Sequence, residues 1–123
     1  MQYEKLYDEF KNLFPEDIGE LDKLAKVADA ETDDGMHIMF GMVVVPFVLD
    51  LLKRGENEKL QTAFTFFEKM AKSDDSLISE VLEFSVLEDF ISRGEVVLDS
   101  LKSYMGSVTR KSCANLEKFN CAS

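Results

Sequence analysis

Histidine occurs once in these 123 residues, cysteine twice, proline twice and tryptophan not at all. Each shortage removes a class of function. The single His37 cannot supply the two carboxylate-x-x-histidine pairs of a di-iron helical bundle, although Asp34 stands three residues before it. There is no GxSxG nucleophile elbow, no phosphate-binding glycine loop, no CxxC pair and no N-glycosylation triplet. His37 therefore reads as an ordinary packed or partly exposed side chain, and no enzymatic activity, cofactor or metal is expected. If Cys113 and Cys121 share one helix, their eight-residue step separates them by about 12 Å. A disulfide needs Cα atoms within about 7 Å, so two free thiols are expected, as in a reducing compartment.

Long apolar runs are also missing. The longest uncharged one, Ile38 to Leu49, falls short of the roughly 20 residues needed to span a bilayer, and reads as a core helix. The opening MQYEKLYDEF carries charge every few residues where a signal peptide needs an apolar stretch. A cytoplasmic protein without a membrane segment is expected. Bases are scarce too: 14 against 24 acids leave a net charge of −10. Direct nucleic-acid binding is disfavoured, because phosphate recognition needs a basic surface, whereas a basic protein would be attracted. The acids fall in two blocks, residues 1–34 and 74–101, each with net charge −7.

What is present is a single-domain chain, 1–123, with 46% apolar residues and ten Phe, enough for one packed core. The stretch from Glu58 to Ile91 organises the rest. Leu60, Ala63, Phe64, Phe67, Met70 and Ala71 recur at the helical steps of three and four. Ser73 to Ser76 then supply a turn and cap. A second apolar helix comes next, with Leu77, Ile78, Val81, Leu82, Phe84, Val86, Leu87, Phe90 and Ile91 around much of its circumference, as in a helix buried on more than one side.

Before this hairpin, the spacing predicts helices over about Gln2 to Leu13 and from Pro15 onward, then a loop in which Thr32 or Asp33 caps the next helix. The stretch from Met36 to Leu52 is ambiguous, because Val43, Val44 and Val45 favour a strand while its length favours a helix with a kink or restart at Pro46. Helix is chosen. Asn57 is expected to cap the hairpin. Short helices after Gly94 and Gly106, with Val96 and Phe119 among their apolar members, complete the chain. The fold class is all-α, an irregular HEAT-like stack of six or seven short helices. An α+β fold with a strand near Met42 to Val45 is the alternative.

The acidic loop at Asp29, Glu31, Asp33 and Asp34 fails as a calcium site. Counted from Asp29, the sixth position is Asp34 where Gly is needed, and the twelfth is Phe40 where a bidentate Glu is needed. Glu80, Glu83, Glu88 and Asp89 lie on or near the polar face of the second hairpin helix. Plain solvation is the simplest reading of them, and recognition of a basic partner is the functional one. They form the first candidate partner surface, and the Asp33 and Asp34 loop the second. Phe66, off the core stripe of its helix, is a candidate exposed aromatic anchor.

FFEKMAKSDDSLISEVLEFSVLEDF, with HIMFGMVVVPFVLDLL before it, resembles the central signature of small all-helical bacterial immunity proteins of polymorphic toxin systems, including contact-dependent growth inhibition. That resemblance implies a cytosolic protein that neutralises one cognate toxin domain, usually a nuclease, by covering its active site. A nuclease tends to be basic, so opposite fields would speed their encounter. The alternative is an acidic adaptor or nucleic-acid mimic that binds a basic host protein.

Overall fold

Two segments repeat their apolar residues every four positions. Met36, Phe40, Val44 and Val48 form one row, Met39, Val43, Phe47 and Leu51 a second, and Ile78, Leu82, Val86 and Phe90 a third. In a regular α-helix each four-residue step over-rotates by about 40°, so such a row would wind off its face. The computed structural model shows how the chain keeps the rows straight: both helices widen into π turns, at Phe40–Val44 and Val81–Leu87. There the N–H of Val45 reaches the carbonyl of Phe40, and that of Glu88 reaches Glu83, five residues back. All three rows are buried.

The structure describes residues 1–121. The readings of Thr32 as a cap and of Cys121 as a free thiol rest on side chains outside the described ones, and that of the last residues as frayed lies outside the described residues. The described residues form seven α-helices. These are α1 (Leu6–Asn12), α2 (Ile18–Ala28), α3 (Met36–Arg54), α4 (Asn57–Ala71), α5 (76–92), α6 (Glu95–Lys102) and α7 (Ser107–Cys121). The fold is all-α, and no strand occurs among the described residues. The valine run is therefore helical. Pro46 does not break it, because the π turn just ahead opens the space that a proline ring would otherwise contest with the carbonyl four residues back. By length and composition alone α3 could cross a bilayer, but both of its rows face the protein's own core.

The helix ends obey their local chemistry. Gly55 closes α3 with φ 70°, where a Cβ would be strained. Asp75 accepts a hydrogen bond from the Leu77 N–H at 3.0 Å and caps α5. Asn57 does not cap α4. It is the first helical residue, and its Oδ1 accepts from the Tyr104 hydroxyl at 2.5 Å, tying α4 to the α6–α7 turn.

Phe10 of α1 is the hub of the core. Its ring lies 5.1 Å from Phe14, 6.0 Å from Phe40, 5.6 Å from Phe66 and 6.0 Å from Phe67, measured between centroids. Phe64 extends the network to Phe67, Phe90 and Tyr104. One aromatic layer thus joins α1, α3, α4 and α5. Val96 and Phe119, expected on apolar faces, are exposed.

A polar clamp holds α7. The half-buried Glu68 carboxylate of α4 accepts hydrogen bonds from the N–H groups of Val108 and Thr109 and from the Thr109 hydroxyl, at 2.7 to 3.1 Å. It therefore satisfies free donors in the first turn of α7, where the helix dipole also favours a negative charge.

Candidate functional site

α3 and α5, the two helices with π turns, pack against each other beside the surface. Their seam is marked by His37, whose Nδ1 lies 2.6 Å from the Ser85 Oγ. One turn further along α3, Gly41 keeps the contact close, since a Cβ there would already touch the Ser85 carbonyl at 3.7 Å. Ser85 sits inside the α5 π turn, and Gly41 inside that of α3.

Each acidic segment read from the sequence lies within a few residues of one side of this seam. Asp33 and Asp34 occupy a short turn immediately before α3, three to four residues from His37, and both are exposed. Asp34 Oδ2 also accepts the Glu31 N–H at 2.8 Å, which fixes the turn. On α5, Glu83 and Glu88 lie two and three residues from Ser85, and Glu80 one turn earlier. Glu80 and Glu88 are exposed and Glu83 half-buried. Asp89 stands apart, because the Arg93 guanidinium holds it at 3.1 Å. Two cations are engaged elsewhere, Lys11 on Asp22 and Lys59 of α4 on Asp17.

Phe66 requires a correction. It is only 6% exposed and packs on Phe10, so it is a core residue and not a surface anchor. The helical stripe of α4 is wider than the sequence spacing suggested, because α1 covers its second flank. The reverse error falls on α5: Leu77 and Phe84, read as buried, are 52% and 51% exposed. With the π turn, Ser76, Glu80, Phe84 and Glu88 form a four-residue row opposite the buried one, and this row faces solvent. On α3, Ile38 and Met42 are likewise 40% and 45% exposed. The signal that could have revealed the row was the four-residue repeat, which a 3.6-residue template blurs.

The His37–Ser85 pair has the spacing of a base and a nucleophile. Among the described contacts, however, no carboxylate orients the second ring nitrogen, and the pair joins two helices as any polar seam contact does. No group of three or more His, Cys, Asp and Glu fit to hold a metal occurs among the described residues. Grooves lie elsewhere, several of them along α4. One of about 390 Å³ is lined by Leu13, Thr62, Thr65, Phe66 and Lys69, and neither His37 nor Ser85 borders it.

Cys113 is a free, fully buried thiol. Burial pushes its pKa up to about 11, with the Glu117 carboxylate adding to the rise. The thiolate, the reactive form, is thus suppressed at neutral pH. In a Cys121→Ser background, native protein should react with a disulfide reagent at least 100-fold more slowly than urea-unfolded protein. Rapid native labelling would contradict this burial.

The family model described as a domain of unknown function, DUF7674, matches residues 7–120. No curated protein and no solved structure matches the chain.

Proposed function

We propose, for a chain that belongs to the DUF7674 family, that it is a binding protein and not an enzyme, and that it works in the cytosol as the immunity partner of a cognate antibacterial toxin domain. The toxin is by class a basic nuclease, and the protein neutralises it by covering its active site, with its own carboxylates standing where substrate phosphates would lie. The resemblance of the α4–α5 segment to immunity proteins supplies the toxin. The observation that supports the binding mode is the His37–Ser85 contact at 2.6 Å, which joins the helix that follows Asp33 and Asp34 to the helix that carries Glu80, Glu83 and Glu88. Opposite charge on the partner would accelerate encounter and select against like-charged competitors.

The test is growth rescue. The toxic domain encoded immediately upstream is expressed with and without this protein, and survivors are counted. Rescue by the wild type, with affinity reduced at least tenfold and a shallower salt dependence in Glu80→Gln/Glu83→Gln/Glu88→Gln, is the expected result. An active toxin that kills equally with the protein present would turn the reading to an acidic adaptor of a basic host protein. A turnover assay abolished by His37→Ala would overturn the non-enzyme reading.

A further inference from the structure

Beside the α3–α5 seam, exposed apolar side chains stand among acids in a way that charge alone does not explain. Phe84 is half exposed and has Glu80 one turn before it and Glu88 one turn after it in the same row. Leu77 lies seven residues before Phe84, about 10 Å along the helix axis. Across the seam, Ile38 and Met42 are one turn apart on α3, each next in sequence to the residue that meets Ser85, His37 and Gly41 respectively. Since the core side of this helix pair is closed by the buried rows, the exposed residues of both helices lie on its solvent side. Phe84, Ile38 and Met42 thus flank one seam, and Leu77 is exposed further back along α5. Scattered single exposed hydrophobics need no explanation, but a cluster rimmed by charge marks an interaction surface.

We infer that Ile38, Met42, Leu77 and Phe84 form the anchor of a docking surface whose occupant is a basic amphipathic helix of a partner protein. This deepens the proposed function and rests on its reading that the seam acids meet a basic protein. Three observations choose the occupant. A second copy of this chain would set the Glu80–Glu88 row against another acidic row, with Arg93 the only cation between residues 74 and 101 and already held by Asp89. An extended segment has no strand to join, because no strand edge exists among the described residues. What the seam offers is the surface of two packed helices, and a third helix fills it by laying an apolar stripe over Phe84 and Met42 while its flanking lysines or arginines reach Glu80, Glu88 and Asp33. The methionine side chain adapts its shape to such a stripe.

The surface is tested with two fluorescein-labelled synthetic 14-residue peptides of the same leucine and lysine composition. One has its leucines at helical spacing, and the other is scrambled so that no apolar stripe forms. Fluorescence anisotropy against the whole protein should show the amphipathic peptide binding at least tenfold more tightly than the scrambled one. Leu77→Ser/Phe84→Ser, checked for native circular dichroism, should erase that preference, and Ile38→Gln/Met42→Gln provides a second variant on the other helix. Glu80→Gln/Glu88→Gln should weaken both peptides alike. If the two peptides bind equally, or if the preference survives in both apolar variants, the anchor is overturned while the acidic-surface reading stands. If neither peptide binds, both are overturned.

Discussion

Replacing Phe10 by alanine is expected to destabilise the fold by about 3–5 kcal/mol, the range for deleting a fully buried phenylalanine and leaving its cavity. The position justifies the upper part of that range. Phe10 is wholly inaccessible and touches Phe14 just after α1 and rings of α3 and α4, including an edge-on contact with Phe47 at 6.3 Å and a parallel one with Phe67. Neighbours on two other helices and in the turn after α1 cannot all relax into one void. Against a total stability of about 5–15 kcal/mol for a domain of this kind, such a loss would leave little. Urea unfolding of the wild type, Phe10→Leu and Phe10→Ala would measure it, with Phe10→Leu the milder change. A cost below about 1.5 kcal/mol for Phe10→Ala would mean that α1 is not integral to the core.

Glu68→Ala should be the second large loss, about 2–4 kcal/mol, since it removes a charged acceptor of three hydrogen bonds and strands the buried Thr109 hydroxyl and N–H without it. The clamp also predicts a pH dependence. Burial raises the Glu68 pKa, but the bonds from Thr109 and Val108 and the nearby Lys72 outweigh it, so the folded value is lowered. A group with a depressed folded pKa stabilises fully above its unfolded value, near 4.3 for glutamate. That contribution is lost as pH falls through the folded value. The stability gap between wild type and Glu68→Gln should therefore be constant above about pH 6 and shrink below about pH 4. Gly106 completes the argument, because a Cβ there would overlap the Glu68 carboxyl. Gly106→Ala should disturb the same bonds, and adding it to Glu68→Ala should cost less than the sum of the two single changes. Strict additivity would show that glycine and carboxylate do not share the site.

Such a clamp was invisible in the sequence. Glu68 and Thr109 are 41 positions apart, and at both ends the local pattern reads only as a polar residue on a helix. Phe66 and Phe84 failed for a related reason, in opposite directions. A helix in isolation declares one apolar stripe, but how wide a stripe becomes depends on how many neighbours lean on it. α1 closes the flank of α4 over Phe66, whereas nothing among the described residues closes the flank of α5 over Phe84. Asn57 shows the same limit at a cap, where a partner 47 residues away, Tyr104, takes the side chain that local chemistry would have turned to the helix end.

By itself the sequence determined the helices, their glycine and aspartate ends, the all-α class and the uneven charge, because these depend on periodicity, backbone freedom and formal charge, which are properties of short stretches. Only the tertiary structure decided that α3 and α5 meet at His37 and Ser85, and that Phe10 holds the core together. Those facts depend on which helix faces approach. That choice is made by the whole set of buried side chains packing at once, and no single segment encodes it.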